Sequence, residues 1–313
     1  MIEAVGLSKR YGKTLAVDNL SFTVQPGRVT GFLGPNGAGK STTMRMILGL
    51  DAPTGGDVRI DGQKYRQLHQ PLRKIGALLD AKWVHPNRSA RAHLRWLAKS
   101  NKLPASRVDD VLELVGLTDV ANRRAGGFSL GMSQRLGIAA ALLGDPEVLL
   151  FDEPVNGLDP EGILWIRRFM HRLADEGRTV FVSSHLLSEM ALTAQELVVI
   201  GRGKLIAQCS TEEFVAQATE STVLVRSPQL ALLRSALGQQ GATVRDESDS
   251  LVVSGMETAD IGELAAAKGI VLHELSPQRG SLEEAFIQLT GDSVEYHAAV
   301  TDAVPADLIT AGK

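Results

Sequence analysis

Gly34-Pro-Asn-Gly-Ala-Gly-Lys-Ser-Thr42 is a glycine-rich segment that follows a short apolar run at residues 29–33 and precedes a helical pattern at 41–50. It matches G-x-x-x-x-G-K-[ST], the pattern of a loop whose backbone N–H groups close around phosphates. Glycine leaves room for that approach, Lys40 supplies a positive charge and Ser41 offers a hydroxyl to Mg²⁺. We therefore predict a phosphate-binding loop made of Gly34, Pro35, Asn36, Gly37, Ala38, Gly39, Lys40, Ser41 and Thr42.

Apolar runs typical of strands alternate with helical patterns on both sides of this loop. Strands are predicted at residues 2–12, 15–24, 29–33, 74–79, 148–151, 179–183 and 196–200, and helices at 41–50, 134–143 and 160–174. Strands that alternate with helices predict a mostly parallel sheet with both faces covered. Two further helical patterns, at 89–100 and 106–115, have no strand between them, which predicts an inserted helical subdomain at about residues 85–135.

The composition of the chain changes after about residue 215, which predicts a second, smaller domain. Strand patterns at 222–226, 242–245, 251–253 and 271–275, with helices between them and a last helix at 281–289, predict an α+β domain of βαββαβ type over residues 222–291. Residues 292–313 lack periodicity, so we expect a loosely held tail. Residues 1–215 then form the first domain, in agreement with the usual domain size for 313 residues.

Charge and hydropathy limit the classes of partner. The chain has 33 basic and 36 acidic residues and a net charge of −3, so nucleic acid is an unexpected ligand. Its start lacks the apolar core of a signal peptide, and the richest apolar stretch, 136–151, is interrupted by polar residues and falls short of the ~20 that a spanning helix requires. The single cysteine, Cys209, cannot form an internal disulfide. We therefore expect any membrane role to depend on another chain.

Two adjacent carboxylates, Asp152 and Glu153, end the buried strand predicted at 148–151. Taken alone, such a pair is more often a solvated strand end than a functional site. Downstream of a phosphate loop in the same sheet, it fits a metal ligand followed by a residue that directs water. We therefore predict that Asp152 binds Mg²⁺ directly or through water and that Glu153 orients the attacking water.

Phe128-Ser-Leu-Gly-Met-Ser-Gln-Arg135 opens the helix after the helical insert. A plain helix cap at Ser129 would explain part of it, but in company with the other motifs the chain resembles an ATP-binding-cassette (ABC) ATPase. Ser129 and Gly131 match the family signature Leu-Ser-Gly-Gly-Gln, whereas three positions differ from it, Phe128, Leu130 and Met132. The resemblance implies a P-loop NTPase of ABC type whose signature helix is presented to the ATP of a second subunit.

Three further positions match the family in order along residues 1–215. The resemblance implies that Tyr11 stacks on adenine, that Asp159 of Asn156-Gly-Leu-Asp159 lies in a loop at the dimer interface, and that His185 contacts the γ-phosphate. Each match is weak alone, since a tyrosine near a strand end usually packs and a histidine after a strand usually lies on the surface. Together they give Glu153, His185 and Lys40 as the predicted catalytic residues.

Asp80 stands where the family usually has a glutamine, at the end of the strand predicted at 74–79. It is expected either to act as a third metal-linked residue, beside Ser41 and Asp152, or only to cap the following loop. With the 128–132 segment and the ending Gly280-Ser-Leu-Glu-Glu-Ala-Phe-Ile-Gln-Leu-Thr-Gly291, it makes the chain similar to ATPases of bacitracin- and daunorubicin-resistance exporters. That resemblance implies ATP and Mg²⁺, a separate membrane permease, a second ATPase subunit and a place at the cytoplasmic face of the membrane.

Two other functions fit the phosphate loop. A non-transport ABC protein of DNA repair or translation typically has a long coiled-coil insertion or two cassettes, neither of which this sequence contains. A P-loop kinase would leave the signature segment and His185 unexplained. The favoured prediction is therefore the ATPase subunit of an exporter for a drug or another small hydrophobic compound, working as a homodimer with two active sites.

Overall fold

The computed structural model describes residues 1–81, 83–218, 222–278 and 282–290, without the side chains of residues 217, 218, 284, 289 and 290. The predicted tail at 292–313 lies outside the described residues, as do Gly280, Ser281 and Gly291 of the closing motif. Among the described residues, no helix combines the length and the apolar character needed to cross a bilayer.

The strands of the described residues are β1 (Ile2–Tyr11), β2 (Thr14–Val24), β3 (Val29–Leu33), β4 (Gly55–Ile60), β5 (Ile75–Leu78), β6 (Val148–Asp152), β7 (Thr179–Ser184), β8 (Glu196–Gly201), β9 (Lys204–Ser210), β10 (Thr222–Arg226), β11 (Thr243–Glu247), β12 (Ser250–Ser254) and β13 (Glu274–Gln278). The α-helices are α1 (Lys40–Ile47), α2 (Pro71–Lys74), α3 (Ala90–Ser100), α4 (Ser106–Leu114), α5 (Leu130–Leu142), α6 (Pro160–Asp175), α7 (Leu187–Ala191), α8 (Thr211–Ala218), α9 (Leu230–Gln239), α10 (Thr258–Ala267) and α11 (Leu282–Thr290).

A six-stranded sheet in the order β5-β6-β7-β3-β8-β9 forms the centre of the molecule. Its first five strands pair in parallel, and β9 is added antiparallel to β8. The central strands β3 and β7 are buried along their whole length, as expected for strands covered on both faces. The predicted parallel sheet is confirmed.

Each face of this sheet has its own hydrophobic core. One face packs against the antiparallel sheet β2-β1-β4 and α1, where the rings of Phe22, Phe32 and Phe181 lie with centroids 4.9–5.8 Å apart. The other face packs against α5, α6 and the helical insert. Helices α3 and α4 contribute Leu94, Val108 and Leu112 to this second core, and no strand lies among the described residues of 83–135.

Strands β10–β13 with α9 and α10, here called the C-terminal unit, form an antiparallel sheet of order β11-β12-β10-β13 with a separate core. The chain order strand-helix-strand-strand-helix-strand agrees with the predicted βαββαβ type. The strand predicted at 271–275 is misplaced, because β13 occupies Glu274–Gln278 and includes Pro277. Proline breaks the pattern in sequence, but an edge strand tolerates it, and β13 pairs only with β10.

The last described helix, α11, packs away from the C-terminal unit. Leu282 and Ala285 are buried in the core of the central sheet together with Phe214 of α8. Helix α11 contacts both α8 and α7. The chain therefore leaves the large core after α8, forms the C-terminal unit and returns to the same core.

Candidate nucleotide-binding site

The phosphate loop, the carboxylate pair and His185 lie at one edge of the central sheet. The phosphate loop follows β3 and His185 follows β7. Asp152 is the last residue of β6, and Glu153 comes directly after it. The parallel register places Leu33 opposite Ser184 and Asp152 opposite Ser183. Because parallel strands all end at the same edge, three motifs that are far apart in sequence come together there.

The phosphate loop is shaped by close backbone approaches that exclude any side chain. A Cβ on Gly34 would lie 2.5 Å from the carbonyl oxygen of Ile200, and one on Gly39 would lie 2.5 Å from that of Ala16. Gly39 also has φ +103° and directly precedes α1. Earlier in the loop, Pro35 is half-buried and the Asn36–Gly37 turn is exposed. The loop therefore presents its backbone to a ligand at the N-terminus of α1, where anions are favoured.

Lys40 is 8% exposed and extends back along the loop. Its ammonium donates to the carbonyl oxygens of Gly34 at 2.6 Å and Pro35 at 3.2 Å. Burial lowers the pKa of Lys40, and the negative charges of Glu153 and Asp152 partly oppose that shift. The lysine is therefore a partly desolvated cation close to both carboxylates.

The carboxylate pair is held by a serine that the sequence motifs did not single out. The hydroxyl of Ser183 donates to Asp152 and accepts from the backbone N–H of Glu153 at 3.0 Å. Glu153 adopts φ +51°, a left-handed conformation that is uncommon outside glycine. The imidazole Nδ1 of His185 lies 2.7 Å from Oε2 of Glu153 and donates to it. The structure thus brings Glu153 and His185 into direct contact.

Tyr11 lies beside α1 and the residues that follow it. Its hydroxyl donates to Asp51 at 2.8 Å, and Arg45 of α1 bonds the same carboxylate at 2.8 Å. Lys9 lies 4.9 Å from the centre of the tyrosine ring. Burial and the neighbouring Asp51 carboxylate raise the pKa of Tyr11. Asp51 carried no signal in the sequence, because it belongs to no motif.

Replacing Tyr11 by alanine is expected to weaken ATP binding by about 1–3 kcal/mol, the range for stacking of a base on an aromatic ring. Tyr11→Phe keeps the ring and removes only the hydrogen bond to Asp51, which lies on the surface, so its effect should be small. Titration calorimetry with ATP on the three proteins measures both effects. Equal losses for alanine and phenylalanine would show that the hydroxyl, and not the ring, is what matters.

Ser129, Gly131 and Asp159 lie at the starts of two other helices. The Ser129 hydroxyl caps α5 by accepting from the N–H of Met132, and Asp159 caps α6 by accepting from that of Gly162. Among the described residues, no hydrogen bond joins these positions to the phosphate loop. Both cap bonds explain local structure, and the predicted roles of these residues toward the ATP of a second subunit stay predictions.

Asp80 follows β5, the strand beside β6, and its carbonyl oxygen accepts from the N–H of Trp83 at 3.4 Å. It therefore shares the sheet edge with Asp152. Within the described parts of the chain, no three His, Cys, Asp or Glu side chains are close enough together to hold a metal ion by themselves. Ser41, Asp152 and Asp80 nevertheless offer oxygen donors, which Mg²⁺ prefers, and Mg²⁺ commonly takes its other ligands from phosphates and water.

The phosphate loop follows β3, the carboxylate pair lies at the end of β6, two strands away in the sheet, and the helical insert ends at the capped helix α5. Together these features define an ABC-type P-loop ATPase. Comparison with known proteins agrees. A family model described as "ABC transporter" matches residues 17–156, and one described as "Domain of unknown function (DUF8746)" matches residues 221–283.

The chain is 37% identical over 298 residues to the bacitracin transport ATP-binding protein BcrA of Bacillus licheniformis, covering 93% of this chain and 97% of the relative. The lantibiotic transport ATP-binding protein SrtF of Streptococcus pyogenes is 37% identical over 208 residues, 66% of this chain and 90% of that protein. A dimeric, post-hydrolysis structure of the ATP-binding cassette MJ0796 with ADP and Pi has a TM-score of 0.62 at 25% identity, covering 67% of this chain and 99% of that one.

The chain belongs to the family of ABC transporter ATP-binding proteins. It is an ATPase subunit of an ABC transporter, and the predicted fold class and ATPase activity are confirmed. ABC ATPases work with membrane permease subunits and dimerise. Membership of this family excludes the P-loop kinase.

Proposed function

We propose that this chain powers the export of an antibiotic or a similar small hydrophobic compound through a separate membrane permease. The observation that carries the proposal is the alignment over nearly the whole chain, C-terminal unit included, with a protein named for bacitracin transport. A second relative, named for lantibiotic transport, points to the same class of cargo. Neither name supports the non-transport alternative in DNA repair or translation.

In this proposal two copies of the chain bind two ATP molecules between them at the cytoplasmic face of the membrane. The phosphate loop of one copy and the Ser129–Gly131 segment of the other enclose each ATP. The caps at Ser129 and Asp159 support it, because they keep the N-termini of α5 and α6 ordered without any contact to the phosphate loop of their own chain. The N-terminus of a helix favours an anion, so the phosphates of ATP bound by one copy attract the α5 start of the other copy and close the dimer.

The proposed catalytic roles follow from the contacts at the sheet edge. Lys40 binds the terminal phosphates as a point charge, and Glu153 accepts a hydrogen bond from the attacking water and orients it. His185 donates from Nδ1 to Glu153, which keeps that carboxylate turned toward the ends of β6 and β7. A contact of His185 with the γ-phosphate is part of the same proposal.

Ser41, Asp152 and Asp80 are the proposed Mg²⁺ residues. When bound, Mg²⁺ neutralises charge on the β- and γ-phosphate oxygens. Ser41 is exposed at the start of α1, and Ser183 holds the Asp152 carboxylate at the end of β6. Asp80 is shorter than the usual glutamine and carries a charge, so it would act through a water that the ion retains.

Asp80→Asn is expected to raise the Mg²⁺ concentration needed for half-maximal ATPase activity, because it removes a negative charge near the metal. It should also reduce stimulation by the permease while leaving metal-free nucleotide binding unchanged. Asp80→Gln, which restores the usual side chain of the family, should recover part of the activity. Mg²⁺ titrations of the three proteins test this. Superimposable curves with equal stimulation would leave Asp80 only a role in its loop.

We further propose the division predicted from sequence, an ATPase domain at 1–215 and an accessory domain at 222–291. The separate core of the C-terminal unit supports this division, although α11 packs on the ATPase side.

The export function is tested by co-expressing the chain with a candidate permease from a neighbouring gene in a susceptible bacterium. We expect the minimal inhibitory concentration of bacitracin or a lantibiotic to rise, and to return to its starting value with Lys40→Ala. Co-purification of the permease with the chain is the biochemical counterpart. An unchanged minimal inhibitory concentration on co-expression would contradict drug export, and absence of a bound permease would contradict the transporter assembly.

A further inference from the structure

Gln134 connects the signature helix to the loop that follows the carboxylate pair. It lies in the second turn of α5, five residues after the Ser129 cap, and is 5% exposed. Its side-chain Nε2 donates to the carbonyl oxygen of Asn156 at 3.2 Å and, more weakly, to that of Glu153 at 3.4 Å. One buried side chain therefore contacts both ends of the turn at residues 153–156.

Two packing contacts join the same helix and loop nearer the signature itself. Gly157, with φ +73°, lies so close to Leu130 that a Cβ there would be 2.0 Å from the leucine Cδ2. A Cβ on Gly131 would lie 3.4 Å from Cδ2 of Leu158. Leu130 is one of the positions where this chain departs from the family signature, so its contact with Gly157 is a feature of this sequence. The first two turns of α5 and the loop 153–158 therefore form one packed unit.

Glu153 is the residue of this loop whose backbone most needs support. Its left-handed φ of +51° is unfavourable for a side chain with a Cβ and persists only when the surroundings fix it. Ser183 binds its N–H and Gln134 contacts its carbonyl, so the peptide groups on both sides of the catalytic carboxylate are held. Among the described residues, Oε1 of Gln134 has no hydrogen-bond partner although it is buried. The side chain therefore keeps one buried oxygen unpaired while its amide nitrogen holds the two loop carbonyls.

We propose that Gln134 is a positioning residue that links the two ATP sites of the dimer, because it ties the backbone of Glu153 to the helix whose start contacts the ATP of the partner subunit. Binding of that ATP fixes α5, and Gln134 then sets Glu153 for hydrolysis in its own subunit. The inference rests on the dimer of the proposed function. Gln134 is buried and bonds only backbone carbonyls of the 153–156 turn among the described residues, so it acts through Glu153 and its loop.

Steady-state ATPase measurements on Gln134→Met test this role. Methionine has nearly the same length and volume but cannot donate to the two carbonyls. We expect kcat to fall about 10- to 100-fold, as for other small misplacements of catalytic groups. The ATP concentration at half-saturation should change less than about threefold. The Hill coefficient, which for two sites lies between 1 and 2 in a cooperative wild type, should fall to about 1.

Arg135→Met is the matched control on the same helix. Arg135 bonds the carbonyl oxygen of Val115 at 3.1 Å and stacks on Trp165, away from the 153–158 loop. Thermal unfolding compares the loss of stability in all variants, and in Arg135→Met kcat and the Hill coefficient should stay near wild type. Losses in Arg135→Met equal to those in Gln134→Met would reduce Gln134 to a general stabiliser of α5 and overturn the inference.

A second measurement separates positioning from binding. In a Glu153→Gln background, adding Gln134→Met should leave ATP-driven dimerisation on a sizing column unchanged, because the phosphate loop and the signature cap are intact. Loss of that dimer would place the effect in ATP binding and contradict the inference. Wild-type protein that is monomeric and non-cooperative with ATP would contradict the proposed dimer itself. A cooperative wild type with an equally cooperative, fully active Gln134→Met would contradict only the role of Gln134.

Discussion

Glu153→Gln should keep ATP binding and lose at least ~10²-fold of the turnover, since help from a general base commonly contributes 10²- to 10⁴-fold. Glutamine has the same size and its amide oxygen can still accept from His185, so the local structure should persist. In the proposed dimer, hydrolysis is what reopens the ATP-bound state, so an ATP-bound dimer of this variant should accumulate. Single-turnover assays and a sizing column with ATP measure both effects.

The control for Glu153→Gln is a glutamate at the other end of β6. Glu147 immediately precedes β6, at the opposite edge of the sheet, and forms an exposed ion pair with Lys74 at 2.6 Å. Glu147→Gln removes an equal charge about one strand length away, so turnover should stay near wild type. Wild-type turnover in Glu153→Gln would remove Glu153 from the catalytic role, and loss of ATP binding would indicate that the carboxylate mainly shapes the site.

Lys40→Ala is expected to act on nucleotide binding itself. The ammonium is a buried donor between the loop carbonyls and the carboxylates, and a hydrogen bond to a charged group is worth about 1.5–3 kcal/mol, or roughly 10- to 150-fold in Kd. Alanine removes the charge and also leaves the carbonyls of Gly34 and Pro35 without their bonds to Lys40. Titration calorimetry with ATP should therefore show an affinity loss of at least this size.

Two variants show whether the loss of ATP affinity comes from the missing charge of Lys40 or from a disturbed phosphate loop. Lys40→Met retains the aliphatic stem, so any loss that it shares with alanine belongs to the ammonium. Lys204→Ala removes a lysine of β9 that is paired with Asp18 at the surface, and it should bind ATP as wild type does. Unchanged ATP affinity in Lys40→Ala would count against the assignment of the phosphate loop.

Sequence predicted the fold where local pattern and chain order agree. The strand-loop-helix around Gly34–Thr42 and the buried strand before Asp152 give both the parallel sheet and the edge at which the motifs meet. Strand β9 was not predicted, because it is a half-exposed edge strand that depends on its antiparallel pairing with β8. Strand β13 was misplaced for the related reason that Pro277 is tolerated only at an edge.

The site residues that sequence missed belong to no motif and act through the backbone. Ser183 is one of two serines at the end of β7, and only the register of β6 with β7 reveals that it lies opposite Asp152. Gln134 follows the signature segment, but its bonds to Asn156 and Glu153 depend on how α5 packs on a loop 20 residues away in sequence. Such contacts are tertiary, and no spacing rule encodes them.

Because α11 returns to the large core, the C-terminal unit is attached to that core on both sides in the chain and not on one side only. Helices α8 and α11, which precede and follow the unit in the chain, contact each other. Helix α11 also rests on α7, which begins at Leu187, two residues after His185. A displacement of α11 is therefore one helix contact away from the segment that carries His185.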